Sequence, residues 1–154
     1  MRKESGFTLI ELMVAITIVS IIVAIAVPSW NRWIPSYRLK RATRDVFSSF
    51  QQAKLEAVRR NVNVILIFDL GNQKYDMYVD DDGNFDNNEP MLGTLQMPGK
   101  VTLVSANFSG GTQQAGFDSR GLPAASRWGT VTLNNTKGIS RNIILSPAGN
   151  IRIQ

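Results

Sequence analysis

The chain has 154 residues, 44% hydrophobic and 19% charged, with 17 Lys and Arg against 12 Asp and Glu. A typical domain takes about 100–200 residues, so this length holds one folded domain with appendages. Cysteine and histidine are both absent, which excludes disulfide frameworks, thiolate zinc sites, iron–sulfur clusters, His metal ligands and the Ser-His-Asp and Cys-His constellations. Catalysis would have to rest on carboxylates, Lys or a bound metal. No spacing nominates such a pair, and the composition points away from an enzyme. The net charge of +5 is segregated. Residues 32–60 carry eight basic and two acidic side chains, residues 61–99 carry seven acids against Lys74, and residues 100–154 carry six basic side chains against Asp118. Blocks of this kind suit packing between protein subunits better than uniform nucleic-acid binding.

The first element runs from Phe7 to Val27, where 17 of 21 residues are apolar. At about 1.5 Å per residue it spans roughly 31 Å, close to the thickness of a bilayer hydrocarbon core. An all-round apolar helix of this length predicts a transmembrane segment. Pro28 follows, and Trp30 and Trp33 stand where interfacial aromatics lie. A secretory signal peptide is the competing reading, with Ala24-Ile25-Ala26 as its small-residue cleavage site. The apolar run exceeds the roughly 7–15 residues usual there, and Glu11 interrupts it. A carboxylate in hydrocarbon costs about 2.5–3.5 kcal/mol on insertion scales and marks a partner. Glu11 also lies only four residues past Phe7, so snorkelling at the interface is the alternative.

The junction Gly6-Phe7-Thr8-Leu9-Ile10-Glu11-Leu12, preceded by the short basic leader Met1-Arg2-Lys3-Glu4-Ser5, resembles the processing motif of type IV pilins and type II secretion pseudopilins. The resemblance implies that a prepilin peptidase cuts between Gly6 and Phe7 and methylates the new amino terminus of Phe7. It implies that Glu11 pairs with the positive amino terminus of a neighbouring subunit and so sets the axial register of a filament. The implied partners are minor and major pilins or pseudopilins, the prepilin peptidase, an inner-membrane assembly platform and the lipid bilayer. Counting flanking cations alone, Arg32, Arg38, Lys40, Arg41 and Arg44 against Arg2 and Lys3, would place the C-terminal side in the cytoplasm. The resemblance instead implies a bacterial inner-membrane protein, single-pass with a periplasmic head, that later reaches a filament tip.

Beyond the membrane segment, Leu39, Ala42, Val46, Phe50, Ala53 and Ala57 recur at helical spacing and predict one buried stripe. Arg38, Arg41, Arg44, Asp45, Gln52, Lys54, Glu56 and Arg59 form the opposite, solvated face. Pro35 falls near the join of the two helical halves. The remainder predicts strands over Asn61–Leu70, Gln73–Val79, Met91–Leu95, Val101–Asn107, Gln114–Phe117, Thr130–Leu133, Asn142–Leu145 and Ile151–Ile153. Short strands at this spacing imply antiparallel pairing. One amphipathic helix covering them makes the fold α+β. The expected division is a leader over 1–6, a transmembrane helix over 7–28, a stem helix over 29–60 and a β-rich head over 61–154.

Phe117-Asp118-Ser119-Arg120-Gly121, Gly129-Thr130-Val131-Thr132-Leu133 and Ile143 to Arg152 resemble the head of the GspH/FimT group of minor pilins and pseudopilins. The resemblance implies a type IV pilin-like fold and a structural subunit. Such a subunit helps initiate or cap a type II secretion pseudopilus or a type IV pilus. It also raises an alternative, a DNA-binding minor pilin acting in DNA uptake through a C-terminal Gly-Arg-x-Arg element. Here that element reads Gly149-Asn150-Ile151-Arg152, so its first cation is missing. Arg120, Arg127, Lys137, Arg141 and Arg152 remain as candidate phosphate contacts, with Trp128 as a stacking platform. No cofactor is expected apart from a candidate Ca²⁺. With Tyr78 at the first position of a twelve-residue calcium loop, Asp80, Asp82, Gly83, Asp86 and Glu89 fall at positions three, five, six, nine and twelve. Tyr78 supplies no carboxylate, and the alternative is a solvated hairpin tip whose side chains bond their own backbone.

Overall fold

The computed structural model describes residues 7–83 and 89–154, and the side chains of these except residues 27–32 and Ser126. A single long helix, α1, spans Leu9–Arg60 and continues past Pro28 and Pro35. The chain divides into two compact units, Met1–Ile34 and Pro35–Gln154. In the first, Leu9–Ala26 is long and apolar enough to cross a membrane, with a mean hydropathy of 2.8 and no residue buried within the molecule. Its two mid-span hydroxyls are satisfied internally. Thr17 donates to the Met13 carbonyl at 2.8 Å and Ser20 to the Ile16 carbonyl at 2.7 Å, so neither adds an unmet polar group to the apolar surface.

In the second unit, α1 ends where Asn61 adopts a left-handed conformation (φ 58°) and the Val62 amide reaches back to the Ala57 carbonyl at 3.2 Å. This closure satisfies a terminal carbonyl of the helix. It also delays the first strand, which begins two residues later than the β-branched run suggests. The strands are β1 (Asn63–Asp69), β2 (Lys74–Asp80), β3 (Met91–Gln96), β4 (Val101–Phe108), β5 (Gln114–Phe117), β6 (Gly129–Asn135), β7 (Ser140–Leu145) and β8 (Ile151–Ile153). They form two four-stranded sheets, ordered β3-β2-β1-β5 and β4-β6-β7-β8, with every pairing antiparallel. The expected β1–β2 hairpin is present, with Val64 opposite Val79 and Asp69 opposite Lys74. β6 extends one residue upstream to Gly129 because only glycine fits there. A Cβ at that position would lie 2.1 Å from the Asn107 carbonyl oxygen.

The predicted helical stripe is the buried one. Leu39, Ala42, Val46, Phe50, Ala53 and Ala57 are all at or below 1% exposure. Thr43 joins them although it is polar, because its hydroxyl donates to the Leu39 carbonyl at 2.7 Å. Phe50 is the hub between the two sheets. Its ring lies 6.0 Å from Phe68 on β1, 6.3 Å edge-on from Phe117 on β5 and 6.4 Å from Phe108 on β4. Phe68 and Phe108 themselves stack at 5.7 Å across the gap between sheets. Tyr75 on β2 packs on Phe68 and shares a 2.8 Å hydrogen bond with Ser49 of α1. Burial pushes its phenol up to about 12. Phe50→Ala is expected to cost about 3–5 kcal/mol, the range for emptying a fully buried aromatic site. Equilibrium denaturant unfolding of the chain in detergent measures it.

Candidate functional site

Three groups of residues are candidates for function: the helix N-terminus, the acidic loop after β2 and the basic residues of the C-terminal half. At the N-terminus Gly6 lies outside the described residues, while Phe7 is exposed. Thr8 and Glu11 form a reciprocal capping box. The Glu11 amide donates to the Thr8 hydroxyl at 3.3 Å, and the Thr8 amide donates to a Glu11 carboxylate oxygen at 3.4 Å. The Glu11 carboxylate therefore turns back toward the start of the helix. The sequence reading passed over Thr8, although the signal was present: Thr8-Leu9-Ile10-Glu11 has the Thr-x-x-Glu spacing of such a box.

In the acidic loop, carboxylate oxygens of Asp80, Asp82 and Glu89 lie within 4.8 Å of one another. Asp86 falls outside the described residues. Asp80 is buried. It closes its own turn by accepting the Gly83 amide at 2.8 Å, and it also accepts the Asn63 side-chain amide at 3.3 Å. Three carboxylates converge here, and Asp80 among them also bonds the backbone of its own turn.

The five basic candidates are spread over several elements of the C-terminal half. Arg120 is held by Asp118, whose carboxylate accepts Arg120 Nη2 at 2.8 Å and Nε at 3.1 Å, and the Arg120 and Leu122 amides at 2.9 and 3.0 Å. Arg120 and Arg127 both line a cleft beside β1. Lys137 lies in the turn between β6 and β7, Arg141 near the start of β7, and Arg152 sits on β8 opposite Ile144. The glycine of the C-terminal element has a packing role. Gly149 has φ 74°, its carbonyl accepts Lys54 Nζ at 3.0 Å, and a Cβ there would lie 2.8 Å from the Gly121 carbonyl oxygen. The turn carrying Gly149 is thereby seated against the turn that Asp118 closes.

Burial alone would push the Asp118 carboxyl up, but the hydrogen bonds from Arg120 and the two amides bring it below its ordinary value of 3.8. A depressed carboxylate stabilises the fold above its unfolded pKa, and that contribution is lost as pH falls through the folded value. Asp118→Asn is therefore expected to lower the melting temperature at pH 7. The gap from the parent should close as the medium is acidified below about pH 4. Thermal unfolding across pH measures both.

An apolar N-terminal helix followed by a helical half packed on antiparallel sheets is the architecture of a type IV pilin-fold subunit. Residues 42–149 match the family described as type II transport protein GspH, and residues 1–27 match the prokaryotic N-terminal methylation motif. The chain is 31% identical over 157 residues to the pilin-like protein PilA1 of Thermus thermophilus, covering 97% of each. Among solved structures, the type IV minor pilin FimU of Pseudomonas aeruginosa superposes with a TM-score of 0.59 at 16% identity, over 77% of this chain and 90% of that one. The minor pseudopilin EpsH from the type 2 secretion system of Vibrio cholerae superposes with a TM-score of 0.59 at 10% identity, over 76% of this chain and 96% of that one. The chain belongs to the GspH family and is a pilin-like protein. Its family and fold are those of structural subunits. The methylation motif and the apolar helix fit a pilin anchored in the inner membrane.

Proposed function

We propose that this protein is a membrane-stored subunit that enters a periplasmic filament and helps to start or cap it. Residues 1–6 are a leader that prepilin peptidase removes between Gly6 and Phe7, leaving an N-methylated Phe7. Residues 7–28 hold the subunit in the bilayer, with the stem over 29–60 and the head over 61–154 on the periplasmic side. The inner-membrane assembly platform then passes it to other minor and major pilins or pseudopilins.

One observation carries this reading: a fully exposed apolar helix with one carboxylate in its first turn. Among the described residues, the Glu11 carboxylate receives a single long hydrogen bond, from its own Thr8 amide. That leaves lone pairs for a stronger donor. A methylated amino terminus on a neighbouring subunit is such a donor, and in a low-dielectric setting the pair holds only when both charges are present. Glu11→Ala is expected to be cut and methylated normally, as mass spectrometry of the amino terminus reads, yet to be missing from sheared filaments. Normal incorporation would overturn the pairing. A native chain that keeps its leader, or is trimmed beyond Ala26, would overturn the assignment as a whole.

The acidic loop supports a second, local proposal. Three carboxylates within 4.8 Å repel one another, and a Ca²⁺ ion held by Asp80, Asp82 and Glu89, with Asp86 as a further ligand, would relieve that repulsion. The melting temperature is expected to be higher in millimolar Ca²⁺ than in EDTA, and Asp82→Asn to remove the difference. Equal melting in both buffers would leave the loop as a self-bonded hairpin tip.

A further inference from the structure

The chain after β5 folds back over the outer face of the β3-β2-β1-β5 sheet. Ile65 on β1 is buried there at 1% exposure. It lies beside Gly116 and Ala124, since a Cβ on Gly116 would touch the side chains of both Ile65 and Ala124 at 3.5 Å. Beside this contact lies a cleft of about 340 Å³ lined by Asn63, Asp80, Asp118, Arg120, Ala125 and Arg127 among others. Its volume falls in the range of small-ligand sites, about 300–1,000 Å³.

Two features of the cleft are unexplained by the fold. Arg127 Nη1 is buried and has no hydrogen-bond partner among the described residues, a condition that is destabilising, the more so for a charged group. Ala125 holds a left-handed conformation, φ 47° and ψ 36°, which is strained for a residue with a Cβ. Strain and an unmet donor at the same rim indicate a ligand that supplies an acceptor.

The surrounding charges define that acceptor. Arg120 is already engaged by Asp118, so the unmet capacity is at Arg127. Asp80 lines the cleft, and Asp81 and Asp82 follow it in the chain. A nucleic-acid backbone brings about one negative charge per 1.7 Å of duplex and would meet this acidic edge along its length. A single carboxylate on a peptide meets only the guanidinium, which matches it with a planar, two-pronged donor set. We propose that the cleft receives an Asp or Glu side chain from a neighbouring pilin subunit, with Arg127 as its anchor. This partner assignment rests on the assembly reading above, whereas the carboxylate site itself does not.

The test uses the full processed chain in detergent micelles with EDTA present, so that no cation at the adjacent acidic loop contributes. N-acetyl-aspartate amide is titrated while the Arg127 side-chain N–H resonance is followed by NMR. N-acetyl-asparagine amide, inorganic phosphate and a short DNA duplex are the comparison probes. The aspartate compound is expected to give a saturable shift with half-saturation on the order of 1 mM, the affinity of one charge-assisted contact, and the asparagine compound none. Arg127→Gln should lose binding, Arg127→Lys should weaken it, and Arg141→Gln should leave it unchanged. Removing a buried unpaired donor should not lower the melting temperature, and Arg127→Lys serves if the glutamine variant fails to fold. An equal response to the asparagine compound, a response to phosphate alone, or a DNA response that exceeds the aspartate response would overturn the site. In cells, a photo-crosslinking residue at Ala125 is expected to capture a peptide of another pilin subunit containing Asp or Glu, with loss of capture in Arg127→Gln. Capture of an uncharged segment, or no capture from assembled filaments, would overturn the partner. Loss of the carboxylate response while Glu11→Ala still blocks incorporation would sink this proposal and leave the assembly reading standing.

Discussion

The seam around Phe50 is the constraint on which the C-terminal unit depends. One aromatic ring on the helix touches Phe68 and Phe117 of one sheet and Phe108 of the other. Four strands with one apolar face cannot stand alone in water, and side chains of both sheets here meet the same ring of the helix. The helix brings small residues, Ala42, Ala53 and Ala57, on either side of that ring. The sheets can therefore come close to its backbone while the large side chains interdigitate. Packing of this density makes the helical stripe, the sheet order and the strand register mutually dependent.

The N-terminal unit obeys the opposite rule. The apolar residues of its Leu9–Ala26 span are exposed throughout, so the stability of that span as a helix comes from backbone hydrogen bonds and from a lipid or protein environment outside the molecule. The two hydroxyls that could disturb that surface are turned onto carbonyls of the preceding turn. The one charged side chain of the Leu9–Ala26 span, Glu11, is drawn to the helix start by Thr8. A carboxylate near the positive end of a helix dipole is already in a favourable position. In the assembly we propose, anchor and assembly element are the same segment, distinguished only by what surrounds it.

Much of the architecture was legible because it follows from periodicity. The stripe from Leu39 to Ala57 is a 3.6-residue pattern, and the strands Gln114–Phe117 and Ile151–Ile153 have the bounds that their turn residues mark. Elsewhere local pattern was insufficient. The start of β1 was displaced by the left-handed closure at Asn61, and the start of β6 by the close approach of Asn107 to Gly129. The Thr8–Glu11 box is legible as a Thr-x-x-Glu spacing, although the same carboxylate also stands out as a charge at the edge of an apolar helix. The division into two sheets was not legible, because strands of either sheet alternate in the same way and pairing partners are chosen across the whole chain.

The amino-acid sequence by itself determined the class of this protein. Gly6 to Leu12, the uninterrupted apolar helix and the absence of His and Cys are local or compositional facts, and such facts need no fold to be read. Only the tertiary structure decided which charged residues share a site. It divided the five C-terminal cations, tied Arg120 to Asp118, assigned Gly149 to packing and left Arg127 facing a cleft beside Asp80. Residues 63, 80, 118 and 127 meet because β1 pairs with β2 and β5 and the following turn closes over them. Proximity of that kind arises from long-range pairing, which no window along the chain contains.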